Sequence, residues 1–234
     1  MFGLKALGRW RSCVGLAILL GVLVTLGPRQ VQAQEAQILI DRARTTVEEF
    51  RLDADMGSMR ILLARAKAVL IIPQLLKAGF IIGGEGGNGV LLTRRDGRWS
   101  APAFYSFGAG SVGLQIGAQA SEVMLLLMTD RAVDAVLRNR VTLGGDASVA
   151  AGPLGRGVEA ATTTNFRADV YAYSRTKGLF AGASLEGAVL TPLDNANATY
   201  YGQRVSARDI LMNFAVDHAG ANALRGSLDA TLER

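Results

Sequence analysis

From Gly108 to Gly117 the chain reads Gly-Ala-Gly-Ser-Val-Gly-Leu-Gln-Ile-Gly, a strand pattern with glycines set into it. Val112, Leu114 and Ile116 share one face, and Gly113 and Gly117 fall on the other. Glycine inside a strand gives up backbone entropy, so its repeated use wants a geometric reason. Strands that bend into a barrel, or that take another backbone or a helix closely, need faces without side chains. An earlier cluster, Gly83-Gly-Glu-Gly-Gly-Asn-Gly89, sits between two apolar runs, Phe80-Ile-Ile82 and Val90-Leu-Leu-Thr93. It reads as a Gly-rich turn joining two strands.

Other elements fall in place around these. Gln34 to Asp53 has helical periodicity through Leu39, Ala43, Thr46, Val47 and Phe50. Asp55 is the expected cap of a second helix, Met56 to Ala66. Val69 to Ile72 is a strand that stops at Pro73, and Asp96-Gly97 marks a hairpin between Arg95 and Arg98. From Trp99 to Phe107 the alternation places Trp99, Ala101, Ala103, Tyr105 and Phe107 on one face. Val123 to Met128 is a further strand, and Thr129-Asp130 caps a helix to Leu137. Val141 to Ala151, Val158 to Thr164, Ala168 to Ser174 and Leu179 to Leu190 are strand candidates. Asp194 to Tyr200, a Ser206-capped segment to about Val216, and Ala219 to Leu232 read as helices. Strands follow strands without helical crossovers. The expected fold is therefore α+β: a Gly-rich, mostly antiparallel barrel or sandwich-like core with helices at the N- and C-terminal ends.

The first residues set the expected compartment. Lys5, Arg9 and Arg11 precede an apolar run from Val14 to Leu26, and Val31-Gln-Ala33 places small residues where a signal peptidase reads. The run is shorter than the roughly 20 residues that span a bilayer. The chain thus divides into a signal peptide, 1–33, and a single domain, 34–234. The one cysteine, Cys13, follows Arg11 and Ser12 at the start of the run. It is wrongly placed for a lipoprotein signal, so the expected product is periplasmic or secreted and not a lipoprotein. Removing Lys5, Arg9, Arg11 and Arg29 from the 25 Lys+Arg leaves 21 against 20 Asp+Glu, a balance of +1. A nucleic-acid binder should keep a strong basic excess, so that class is set aside. Attraction to anionic lipid must come from a local patch.

Catalytic sets do not assemble. The single histidine, His218, is expected in a helix as a surface or packing residue, and with no cysteine in the domain zinc ligand sets are unavailable. No Gly-x-Ser-x-Gly elbow is present. The cluster at Gly84–Gly89 lacks the Lys-Ser/Thr of a phosphate loop and leads into a strand, so no nucleotide cofactor is expected. The reading is a binding protein with no enzyme activity, no metal and no cofactor.

Several blocks together resemble the SYLF-domain family: Asp53-Ala-Asp-Met-Gly-Ser58, Ala68-Val-Leu-Ile-Ile-Pro73, Leu76-Lys-Ala-Gly-Phe80, Gly89-Val-Leu-Leu92, Trp99-Ser-Ala-Pro-Ala-Phe-Tyr105, Gly113-Leu-Gln-Ile-Gly117, Gly144 to Gly152, Tyr173 to Phe180, Gly182 to Gly187 and Tyr200-Tyr-Gly202. They run in the family's order over roughly Ala36 to Leu211. The resemblance implies a lipid-binding module. Eukaryotic members are tied to phosphoinositide membranes and, in yeast, to actin; bacterial members are exported and often lipoproteins. This chain departs by lacking the lipoprotein cysteine. Its N-terminus reads as a cleaved signal, so the basic amphipathic helix ahead of the domain in some relatives has no counterpart. Actin and endocytic partners do not carry over to a periplasm.

Two routes to lipid remain open. In one, cations near Gly-rich turns hold a phosphate head group, with backbone N–H groups assisting. The candidates are Lys77, Arg94, Arg95, Arg98, Arg175 and Lys177, with Trp99 at head-group depth. In the other, an acyl chain enters an apolar space beside the glycine faces. The alternative function is a structural or protein-interaction module of the envelope without a lipid ligand.

Overall fold

A computed structural model describes residues 28–152, 168–176 and 185–233. The expected strand at 158–164, the first part of the strand at 179–190, Lys177 and residues 1–27 of the signal segment lie outside the described residues.

The fold starts with α1 (Pro28–Leu52), whose stripe Ile40, Ala43, Val47 and Phe50 is buried. A 3-10 turn, Ala54–Met56, leads into α2 (Gly57–Arg65). Asp53 caps that turn, its side chain accepting from the Asp55 N–H, while α2 has Met56 at its N-cap with no side-chain bond, and not Asp55 as expected. Two long strands follow, β1 (Ala68–Arg95) and β3 (Ala103–Leu127), joined through the short β2 (Arg98–Trp99). They pair antiparallel along their length, from Ala68↔Leu127 to Leu91↔Ala103. Pro73 does not end the strand; it falls in a register shift between Ile72 and Leu75, where a missing N–H is tolerated.

β1 also doubles back on itself. The Arg94 N–H donates to the Lys67 carbonyl at 2.7 Å. Gly89 lies against Ile71, Gly87 against Gln74, and Lys77 Nζ reaches Glu85 Oε1 at 2.7 Å. These approaches close in step toward a bend within 78–84, so the ribbon curls into a half-barrel. The glycine cluster is not the expected turn between two strands: it lies within the continuous β1, at and beyond the bend, and Gly83, Gly84, Gly86, Gly87 and Gly89 all keep partners on β3. The close approach explains two of the glycines: a Cβ at Gly87 or Gly89 would run into a backbone carbonyl.

After β3 come α3 (Asp130–Val136), capped by Thr129 as expected, β4 (Val141–Thr142), β5 (Val149–Ala151), β6 (Val170–Thr176) and β7 (Val189–Pro192). β6 and β7 pair antiparallel with different stretches of β3, β4 pairs with β7, and β5 lies parallel to β6. The chain closes with α4 (Asp194–Tyr201), α5 (Ala207–Leu211), a 3-10 turn at Ala219–Ala221 and α6 (Asn222–Leu232). Ser206 forms a full capping box with Asp209, but its helix ends at Leu211 and not near Val216.

The sheet is covered on both faces. On one, Leu70, Ile72, Leu91, Tyr105 and Leu125 pack with α3 and α5. On the other, Ile71, Val90, Leu92, Met124 and Leu126 pack with α1, α2 and α6. Alternation along the strands sends successive residues to opposite layers. The architecture is α+β with helices at both ends, as the sequence implies.

Candidate functional site

The tip of the β1–β2 hairpin is a two-residue turn in which Asp96 has φ 51° and Gly97 φ 77°. Positive φ at both central positions makes it a type I′ turn, the form that matches strand twist. The turn fixes Arg95 directly opposite Arg98, and Arg94 opposite Trp99. Strand alternation then divides the expected cationic site: Arg95 and Arg98 share one face and Arg94 points to the other.

On Arg94's face, its guanidinium lies 5.8 Å from the Trp99 ring and donates to the Ala64 carbonyl at 3.3 Å, at the end of α2. Trp99 is only 4 % exposed and belongs to the core under α1 and α2. Its ring is buried, and it does not share a face with Ala101, Ala103, Tyr105 and Phe107, which lie in the opposite layer. Between Arg94↔Trp99 and Leu91↔Ala103 the register moves by one residue, which flips the face.

On the other face, Arg95 donates to the Met212 carbonyl at 3.0 Å, and Arg98 lies 5.9 Å from the Phe214 ring. Phe214 has φ 51°, a costly backbone state for a bulky residue. It sits in the irregular segment after α5, where Asn213 donates to Asp209 at 3.0 Å. Arg95, Asp96, Arg98 and Phe214 surround an open hollow of about 310 Å³. A second open cleft, about 540 Å³, adjoins it across Arg98 and Phe214 and extends to α6. Neither Arg95 nor Arg98 forms an ion pair among the described residues.

The remaining candidates lie elsewhere and are committed. Lys77 pairs with Glu85, whose side chain is 4 % exposed, and so braces the bend of β1. Arg175 meets Glu49 at 2.5 Å, Glu122 at 3.0 Å and Asp53 at 3.3 Å. Burial lowers its pKa, but these carboxylates outweigh that and hold it above its ordinary value. It ties α1 to β3 and β6 and leaves no charge for a ligand.

His218 is not helical. It caps the 3-10 turn with φ −149°, its Nδ1 accepting from the Gly220 N–H at 3.1 Å and lying 2.8 Å from the Tyr200 hydroxyl. Burial pushes the Tyr200 hydroxyl up to about 12. Among the described residues no three His, Cys, Asp or Glu are grouped to hold a metal, and no helix is long and apolar enough to cross a membrane.

Sequence reasoning did not reach Phe214. The stretch Met212 to His218 has no glycine or proline to mark a left-handed residue, and its apolar spacing continues the helical pattern.

A family model described as Ysc84, "Las17-binding protein actin regulator", matches residues 108–231. "SH3 domain-containing YSC84-like protein 1" of Bos taurus is 38 % identical over 174 residues, 74 % of this chain and 51 % of that protein. The Homo sapiens protein of the same name gives the same figures, 38 % over 174 residues, 74 % and 51 %. "LAS seventeen-binding protein 3" of Saccharomyces cerevisiae is 42 % identical over 153 residues, 64 % of this chain and 33 % of that protein. The chain thus spans about half the length, or less, of these relatives; the yeast protein is named for binding, and the family model for binding and actin regulation. On the family model and these similarities, the chain belongs to the Ysc84, or SYLF-domain, family.

Proposed function

We propose that this is a non-enzymatic binding domain that takes anionic phospholipid head groups at its hairpin tip. The observation that carries the reading is the opposed pair Arg95 and Arg98. Like charges directly across a hairpin repel, and neither arginine forms an ion pair among the described residues, although Asp96 of the turn also lines the hollow. A phosphate in the hollow between them turns the repulsion into two charge-assisted contacts. The type I′ turn holds the two side chains on one face in advance of any ligand, and Phe214 backs Arg98 from below.

Export remains part of the proposal, with cleavage after Ala33 and delivery to the periplasm or the exterior. Supporting it, packing on α1 begins at Ala36, which is 6 % exposed, while Gln34 and Glu35 stand in solvent. Intact mass of the protein recovered outside the cytoplasm tests it; a chain that still begins at Met1 would refute it.

The test of the head-group site is co-sedimentation with phosphatidylglycerol and with phosphatidylcholine vesicles. Arg95→Glu with Arg98→Glu should abolish binding to the anionic vesicles, and salt should weaken it in the unmodified chain. Unchanged binding by a folded double variant overturns the site. The names of the relatives supply a second reading, a protein-interaction module without a lipid ligand. A chain that ignores both vesicle types but loses a purified protein partner on the same substitution would establish it.

A further inference from the structure

The two hollows that meet at Arg98 differ in charge. The smaller is walled by Arg95, Asp96 and Arg98, two cations against one anion. The larger runs from Arg98 to α6, where Asp217, Arg225, Gly226 and Asp229 line it. Two of those charges cancel: Arg225 Nη2 holds Asp217 Oδ1 at 2.7 Å and the Asn222 side chain at 2.5 Å. Asp229 has no ion pair among the described residues, and it does not pair with Arg98 although both face the same cleft. An uncommitted cation and an uncommitted anion therefore line one cleft without touching.

Opposite charges held apart across a solvent-open space suit a ligand with the complementary pair. We infer that the tip, besides taking anionic head groups, prefers an amphoteric one, a phosphate joined by a short linker to a primary ammonium, as in phosphoethanolamine. The phosphate sits at Arg95 and Arg98, and the ammonium reaches across Phe214 to the Asp229 carboxylate. This rests on the phosphate site proposed above and adds the ammonium half. A primary ammonium donates hydrogen bonds to a carboxylate, and a quaternary one cannot. Selection against phosphatidylcholine follows from that difference.

The cleft is kept open by sequence. Gly226 lies on the cleft side of α6, and a Cβ there would meet nothing within 4 Å. Glycine within a helix costs stability against alanine, and here no close packing requires it. Trp99 also lines the cleft, and its indole Nε1 is a buried donor without a partner among the described residues.

Trp99 supplies the readout. The chain has two tryptophans, so the full chain carrying Trp10→Phe reports through Trp99 alone. It is titrated with soluble phosphoethanolamine and with glycerol phosphate, and in parallel with phosphatidylcholine vesicles doped with phosphatidylethanolamine or with phosphatidylglycerol. Phosphoethanolamine should bind more tightly than glycerol phosphate, and the ethanolamine-doped vesicles should bind where plain phosphatidylcholine does not. Asp229→Asn should weaken the ethanolamine ligands on the order of tenfold, the loss of one charge-assisted contact, and leave phosphatidylglycerol binding unchanged. Gly226→Leu, which fills the cleft, should block the ethanolamine ligands and spare phosphatidylglycerol. Binding of soluble phosphoethanolamine alone makes a free metabolite the source, and binding only on vesicles makes it a lipid; both support the inference. If phosphatidylglycerol binds and neither variant alters an ethanolamine preference, or no such preference exists, the inference falls and the phosphate site stands. If nothing binds, both fall.

Discussion

Gly89 lies so close to Ile71 that a Cβ on the glycine would stand 2.5 Å from the isoleucine's carbonyl oxygen. Backbone cannot yield as a flexible side chain does. Gly89→Ala should cost about 1–3 kcal/mol, the range for forcing atoms into a filled interior. Gly108→Ala, with nothing within 4 Å of its new Cβ, should stay within about 0.5 kcal/mol of the parent. Urea denaturation of both variants compares them; equal stabilities would mean that β1 does not double back.

Asp169 joins three segments. Its carboxylate accepts from the Thr129 hydroxyl at 2.7 Å and from the Ser148 hydroxyl and N–H at 2.8 and 3.0 Å. Burial raises its pKa, but these bonds and Arg131 outweigh burial and hold it below the ordinary 3.8. A carboxyl depressed in the folded state adds stability above its unfolded pKa, lost as pH falls through the folded value. Asp169→Asn should therefore cost on the order of 1–3 kcal/mol at neutral pH. The gap from the parent should shrink once pH drops below about 4. Denaturation midpoints across pH give the comparison, and a gap that persists unchanged in acid would contradict it.

Arg175 serves the fold. Arg175→Met would leave Glu49, Asp53 and Glu122 without their shared cation. The loss should be on the order of 1–2 kcal/mol, discounted because the site is partly solvated. Vesicle binding by the folded fraction should not change. A variant of normal stability with weakened binding would return Arg175 to the list of ligand residues.

Gly226→Ala should raise stability by about 0.5–1 kcal/mol, the gain from replacing glycine where the backbone is ordinary helix. A methyl group is too small to close the cleft, so head-group binding should survive. Thermal melts alongside a lipid titration test both halves, and a destabilised variant would show that the glycine has a structural task after all.

The features legible in sequence are those fixed by neighbours in the chain. Asp96-Gly97 demanded a tight hairpin, Thr129 and Ser206 announced helix starts, and the alternating apolar residues gave the strands. What escaped depends on distant partners. Nothing local says that Ile71 will meet Gly89, so the glycine cluster read as a turn alone. The shift that buries Trp99 opposite Ala101 arises at Ser100, whose hydroxyl accepts from the Thr93 N–H at 3.1 Å and donates to the Ala101 carbonyl at 2.9 Å. The site showed the same division. Arginines at the turn could be named from sequence, but separating the pair on one face from Arg94, Lys77 and Arg175 required knowing the final register and which carboxylates stand beside each.

α1 finds its partner face late. Its inner stripe rests against Leu224 and Leu228 of α6, Gln37 Nε2 donates to the Gly220 carbonyl at 3.1 Å, and Ser227 donates to Glu48 at 3.1 Å. During synthesis, β1 can cover part of that stripe soon after α1 emerges, but the part that α6 covers must wait for almost the whole remainder of the chain. A nascent polypeptide in that condition leaves the α6-facing part of α1 open for as long as elongation lasts, which is the surface a holding chaperone would occupy.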